Sequence, residues 1–362
     1  MRYLYYCNSA YQLINILNLH WHRQNAGFEN IADYSADIII MKAFYGAEKL
    51  AKIVEEGQVF NKVYALNKAE DNSGLMHLFK TSKDVLMPKN YLKTKYHLDT
   101  NKLNYDVLTV PKFSRIVAAI WQLNKKCSLQ LYEDGLATYF FDLDLLVPRS
   151  RSYKLLYKRC NYGRDFLDFT DLYLLAPKLF IGKCVDKVRQ LPDFNKEYLN
   201  KLKADFSEFA GFEDEMDKRV LWFAQSMYDD HKVLNILKQY QDDVLYCPHP
   251  RYPDACNDFL TAKGGQIWEM KALNMDDIND KCLVSINSTA LFNPKLLFGK
   301  EPYLIFVYKL VKLFYDYSLF EETIKRFKDE YHDKDKVMIP ETFEELDACL
   351  KTYYEKSGKK TA

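Results

Sequence analysis

Glycine and proline are scarce, 12 and 11 in 362 residues, about half the usual share of roughly 12%. That shortage excludes collagen-like and low-complexity chains and argues against turn-dense propellers, so long elements with short connections are expected. Paired cysteines are missing as well. The eight that occur, Cys7, Cys127, Cys160, Cys184, Cys247, Cys256, Cys282 and Cys349, are dispersed without a CxxC pair, which suggests neither a zinc site nor a disulfide framework. Several lie in apolar runs such as KCSLQLYEDG and VLYCPHP, where a free thiol acts as a small hydrophobe of a reducing compartment. Neither sign of charge is in excess, with 51 Lys+Arg against 50 Asp+Glu. No bulk attraction to nucleic acid or an anionic membrane follows, and no nucleic-acid partner is expected. Long hydrophobic runs are also absent: no window approaches about 18 apolar residues, and the opening MRYLYYCNSAYQLINIL places Asn8, Ser9 and Gln12 where a signal-peptide core would lie. The chain reads as cytoplasmic, peripheral to a membrane at most.

What is present is ordinary globular material, 48% hydrophobic and 28% charged, long enough for about two domains. Arg2–Cys7 reads as a strand, Asn8-Ser9-Ala10 as a loop, and Leu13, Ile16, Leu17 and His20 recur at helical spacing. ADIIIMKAF, NKVYAL, Tyr105–Val110 and CSLQLY read as further strands, with helices over Glu48–Glu56 and Ser114–Asn124. After a long mixed region the alternation resumes: KRVLWFAQ and DVLYCPHP as strands, Asp230–Gln239 and Asp254–Lys263 as helices. GGQIWEM, CLVSINSTA and EPYLIFVY extend it, with Glu269 at a strand end after GGQIW. Strands alternating with helices imply parallel βαβ units, so two α/β halves in series are expected. At their junction, Arg149–Arg164 carries Arg149, Arg151, Lys154, Lys158, Arg159 and Arg164 with no acid. This basic-aromatic run, together with Lys295, Lys300, Lys309 and Lys312, offers contacts to an anionic membrane surface, or to a second subunit in a homodimer.

Open parallel sheets carry their functional loops at the carboxyl ends of the strands, and the polar clusters here follow apolar runs. Glu133-Asp134-Gly135 sets paired carboxylates at a turn, where one can deprotonate a hydroxyl; as a bare motif it is equally a solvated, capped turn. Asp229 and Asp230 offer an alternative base, or simply a helix cap. His249-Pro250-Arg251 places an acid and a cation where a strand opens into a proline-fixed loop. Ser288 and Thr289 offer hydroxyls for a phosphate or, more plainly, a helix cap, and Glu269 a carboxylate for ribose hydroxyls. Asp142 and Asp144 are spaced like a metal-nucleotide pair but sit in FFDLDLLVP, an alternation better read as a strand, so no metal site is expected.

In order along the chain, YYCNSAYQL, YEDG (132–135), MYDD (227–230), YCPHPR (246–251), WE (268–269) and VSINSTA (284–290) resemble the bacterial sialyltransferases of glycosyltransferase family 52, over about residues 1–310. The resemblance implies an α/β fold of two Rossmann-like domains facing a cleft, the GT-B type. An N-terminal, acceptor-side domain with the basic junction segment would span 1–190, and a donor domain with C-terminal helices 191–362. It implies an inverting transfer from CMP-sialic acid to a galactose-type hydroxyl of a surface glycan, capsule or lipooligosaccharide, with no metal or other cofactor. The acceptor would be a glycan that can be lipid-linked. Carried over, Asp134, or alternatively Asp229 or Asp230, is the base and His249 assists the departing phosphate. Arg251, Glu269, Ser288 and Thr289 hold the donor, and Ser9, Gln12, Glu133 and Gly135 lie on the acceptor side. A UDP-sugar transferase and a non-catalytic nucleotide-binding α/β protein are the competing readings.

Overall fold

The structure is a computed structural model that describes residues 1–67, 83–140, 151–209, 217–225, 228–249, 256–262, 267–312 and 317–358, with backbone alone at 151–154. The chain divides into two compact units, Met1–Asp193 and Phe194–Ala362. In the first, seven described strands, β1 (Arg2–Cys7), β2 (Ser35–Met41), β3 (Lys62–Leu66), β4 (Val107–Val110), β5 (Ser128–Tyr132), β6 (Leu172–Leu174) and β7 (Val188–Gln190), form a sheet ordered β3-β2-β1-β4-β5-β6-β7. Every pairing is parallel. The central strands are apolar on both faces, as in Ile38, Ile39 and Ile40 at 0% exposure, because crossover helices cover each side. Those helices include α1 (Ala10–Asn25), α2 (Ala47–Glu56), α3 (Arg115–Leu123) and α4 (Arg151–Cys160).

The second unit repeats the plan with β8 (Val220–Phe223), β9 (Val244–Cys247), β10 (Leu260–Thr261), β11 (Cys282–Ser285), β12 (Tyr303–Phe306) and β13 (Val337–Met338), ordered β10-β9-β8-β11-β12-β13, again all parallel. Its helices include α5 (His231–Leu237), α6 (Trp268–Asn274), α7 (Asn293–Phe298), α8 (Ser318–Asp329) and α9 (Phe343–Lys356). In each unit the chain winds outward from the first strand in one direction and then returns to its other side, so the order reverses between β1 and β4 and between β8 and β11. Doubly wound sheets bind ligands at the carboxyl ends beside that reversal.

Two local readings are corrected. The helix expected over Asp254–Lys263 is, across the described residues 256–262, a turn followed by β10. The strand expected in GGQIWEM is α6, which puts Glu269 in the first turn of a helix rather than at a strand end. Of the four lysines expected to face a membrane around 295–312, Lys312 is exposed, whereas Lys295, Lys300 and Lys309 are engaged within the unit. Lys295 pairs with Glu301, Lys309 with Glu321 at 3.1 Å and with Glu341, and Lys300 donates to the carbonyls of Ala272, Leu273 and Met275, which close the end of α6. Among the described residues, no helix is long and apolar enough to cross a membrane.

Candidate active site

In the first unit four strand ends converge on one carboxylate pair. After β1, Ser9 caps α1 by accepting from the Gln12 N–H at 3.2 Å, which fixes the first turn and turns the Gln12 side chain back toward the sheet edge. The Asn8 N–H donates to Gln12 Oε1 at 2.7 Å. The amide oxygen must face that donor, so the Gln12 amino group is left to donate to Asp134 Oδ1. After β4, Lys112 Nζ reaches Asp134 Oδ2 at 2.7 Å. After β5, Gly135 takes φ 132°, a conformation that a side chain would strain, and the Asp134 N–H is held by Thr138 Oγ1 at 3.0 Å.

Glu133 is not part of a solvated turn: it is 0% exposed. Its carboxylate accepts from the hydroxyls of Tyr11 and Tyr139 and from the Leu175 N–H at 3.0 Å, just beyond β6. Burial pushes the Glu133 carboxyl above its ordinary pKa, and the two hydroxyls and the backbone donor pull against that rise. Burial, reinforced by the Glu133 charge, drives both tyrosines well upward, so they remain protonated donors. The two adjacent acids therefore separate by environment. Glu133 is saturated inside the fold, whereas Asp134 stands at the partly open rim, its side chain 18% exposed.

In the second unit the loops beside the β8/β11 reversal are tied together. Asn287 donates to the Tyr228 hydroxyl at 3.3 Å, and Ser285 Oγ donates to the Phe223 carbonyl at 2.8 Å. Ser288 caps a short 3-10 turn, Thr289–Leu291, accepting from the Ala290 N–H at 3.2 Å. The indole of Trp268 donates to the Ala290 carbonyl at 2.9 Å, and Asn293 Nδ2 donates to Glu269 Oε1 at 3.0 Å. Glu269 is thereby brought alongside the Ser288–Thr289 segment. Burial pushes its carboxyl up to about 7, against the pull of its own backbone N–H and of Asn293.

His249 is half-buried just beyond β9, the neighbour of β8. Asp229 is exposed and accepts from the His231 N–H at 3.4 Å, while Asp230, half-buried, is pushed up by burial. The capping geometry expected of Asp230 is supplied by Asp229 instead. Arg251, Pro250, Arg149, Asp142 and Asp144 lie outside the described residues, as do the side chains of Arg151 and Lys154. Lys112, Tyr11, Tyr139, Asn287 and Asn293 escaped the sequence reading. The one available signal was Lys112, a cation two residues past an apolar strand in TVPKF.

Two parallel sheets in reversing order, with polar groups collected at their carboxyl ends, define a two-unit Rossmann-like α/β protein. The alpha-2,8-polysialyltransferase (POLYST) family description matches residues 3–307, and the chain belongs to that family. It is a sialyltransferase that uses CMP-sialic acid. The match names polysialyltransferases rather than the family 52 enzymes whose motifs the sequence resembles.

Among solved structures, the chain is similar to a putative UDP-N-acetylglucosamine 2-epimerase from Listeria monocytogenes, with 10% identity, TM-score 0.50 and coverage of 100% of this chain and 91% of that one. A UDP-GlcNAc 2-epimerase from Neisseria meningitidis gives 10% identity and TM-score 0.50, covering 99% and 94%. These likenesses concern the fold alone. No curated protein sequence matches the chain.

Proposed function

We propose that the protein transfers sialic acid with inversion from CMP-sialic acid to a hydroxyl of a bacterial surface glycan, and that this hydroxyl is borne by a preceding sialic acid. Family membership supports an α-2,8 linkage, hence a sialic acid acceptor, over the galactose-type acceptor expected from the sequence. The observation that carries the mechanism is the Gln12–Asp134–Lys112 arrangement beside the β1/β4 reversal. Each Asp134 oxygen has one donor and keeps a lone pair for the acceptor hydroxyl. Asp134 takes that proton as the new bond forms at the anomeric carbon, while the bond to the CMP phosphate oxygen breaks and CMP carries away the electron pair. His249 hydrogen-bonds or protonates the leaving phosphate. Ser288 and Thr289 hold the phosphate, Glu269 the ribose, and Arg251 adds positive charge. A monophosphate leaving group carries less charge than a diphosphate, so protein donors suffice, and chelators are expected to leave the rate unchanged.

The test is initial-rate measurement with CMP-sialic acid and sialic acid- or galactose-terminated oligosaccharides. Asp134→Asn and His249→Ala should each lose about a hundredfold or more, with folded protein retained, and Asp229→Asn and Asp230→Asn should lose far less. Near-wild-type rates in Asp134→Asn overturn the base assignment, and extension of only the galactose-terminated acceptor overturns the acceptor. A thermal-shift comparison of CMP, UDP and GDP checks the donor, since a specific ligand stabilises the folded state by mass action.

The proposed location is the cytoplasmic face of the membrane, with peripheral contact through the 149–164 run, where Lys158 and Arg159 are exposed. Salt-reversible sedimentation with anionic vesicles is the expected behaviour, and absence of binding at low salt rejects it.

A further inference from the structure

We infer that Lys112 is a positioning residue of the transfer reaction, acting through Asp134 rather than on either substrate. The inference rests on the reading of Asp134 as the base. Lys112 lies in the short connector between β4 and α3, and that connector is rigid on both sides. Pro111 before it is buried. Phe113 after it packs edge-on against Tyr157 and Phe166 at 5.5 and 5.3 Å between ring centres. Ser114 then caps α3 by accepting from the Val117 N–H at 3.3 Å.

The ammonium group therefore has a fixed base from which to reach Asp134 Oδ2 at 2.7 Å, while Gln12, carried by a different strand end, holds Oδ1. Two donors from separate elements leave the carboxylate a single orientation. Without Lys112 the Asp134 side chain is held at Oδ1 alone and turns about its last torsion, which is a broad and weakly restrained one. Displacement of a reacting group by about 1 Å costs on the order of a hundredfold in rate. A lysine that instead bound donor or acceptor would contribute whether or not Asp134 could act as a base.

The experiment is a double-mutant cycle on the full-length protein with Lys112→Met, Asp134→Asn and their combination, read as kcat and KM for CMP-sialic acid together with the unfolding midpoint. Lys112→Met is expected to lower kcat by about ten- to a hundredfold with donor KM within about twofold. Lys112→Arg, which keeps the charge and the donor, should recover part of the loss. The double variant should be no slower than Asp134→Asn alone, the signature of two residues that act as a unit. Near-wild-type kcat in Lys112→Met, or a double variant slower than Asp134→Asn by the full single-mutant factor, overturns the positioning role. So does a loss tracking the unfolding midpoint in both Lys112→Met and Lys112→Arg. If Asp134→Asn itself turns over normally, the failure belongs to the base assignment and is recognised as such.

Discussion

At the scale of single residues, the site is a lesson in how neighbouring acids diverge. Glu133 and Asp134 are adjacent in sequence, yet one is sealed inside the sheet edge with three donors and the other is held at the rim by two. Glu133→Ala strands two buried hydroxyls and a backbone N–H, and hydrogen bonds to a charged group are worth about 1.5–3 kcal/mol each. Loss of at least about 3 kcal/mol of unfolding free energy is expected in denaturant titrations, whereas Asp134→Asn should leave stability nearly unchanged. A stable Glu133→Ala protein contradicts this division. The acidic motif itself was legible in the sequence. Its partners were not, because Gln12 and Lys112 stand 122 and 22 residues away from Asp134 and only strand order brings them to it.

At the scale of elements, two helices begin with the same device but in different settings. Ser9 caps α1 and Ser114 caps α3 through side-chain oxygens, and loss of such a cap costs about 1 kcal/mol. Ser114→Ala and Ser9→Ala should therefore lower the unfolding midpoint similarly. Ser9→Ala should also depress kcat more strongly than Ser114→Ala, because Gln12 lies in the turn that Ser9 closes, whereas Lys112 stands two residues before its cap and is held as well by buried Pro111 and packed Phe113. Equal kcat losses in the two variants would count against that distinction.

Strands with long apolar runs were readable because parallel strands are covered on both faces. The failures fell where that signal vanishes. β10 has two residues, one of them Leu260 at 45% exposure, so it has no run to recognise. In α6, Met270, Ala272 and Leu273 are all buried, and IWEMKAL mimics an alternating strand over so short a span. β6 and β7, three residues each, were lost in the mixed region for the same reason.

At the scale of the whole molecule, one titratable group in each unit, His20 in the first and Glu269 in the second, contributes a pH dependence of stability, and the two contributions are opposite in sign. In the first, His20 is buried. Its Nε2 faces the Val59 carbonyl at 2.7 Å and so carries the proton, and its Nδ1 accepts from the Tyr34 hydroxyl at 2.7 Å. Burial lowers its pKa from 6.5 to about 4. In that window the unfolded chain takes up a proton that the folded unit refuses, so stability is lost as pH falls. In the second, Glu269 is raised from 4.5 to about 7. There the folded state holds a proton that the unfolded chain releases, so stability is lost as pH rises through that window. Denaturant midpoints from about pH 4 to about pH 8 should show the gap between wild type and His20→Gln widening toward neutral pH in favour of wild type. The gap for Glu269→Gln should move the other way. A pH-independent gap for either variant removes that residue as a source of the slope.

The reversal of strand order that gathers the site also sets a timetable for synthesis. β1 is flanked by β2 on one side and β4 on the other, and β4 ends only at Val110. On a ribosome adding about 5–20 residues per second, β1 and β2 are complete for several seconds before the neighbour on the far side of β1 exists. During that interval the nascent chain exposes the unpaired edge of an apolar strand, a template for wrong pairing. Asp134, the proposed base, lies further downstream still. The same winding that brings Gln12 and Asp134 together thus leaves its founding strand with one edge unpaired while the chain is being made.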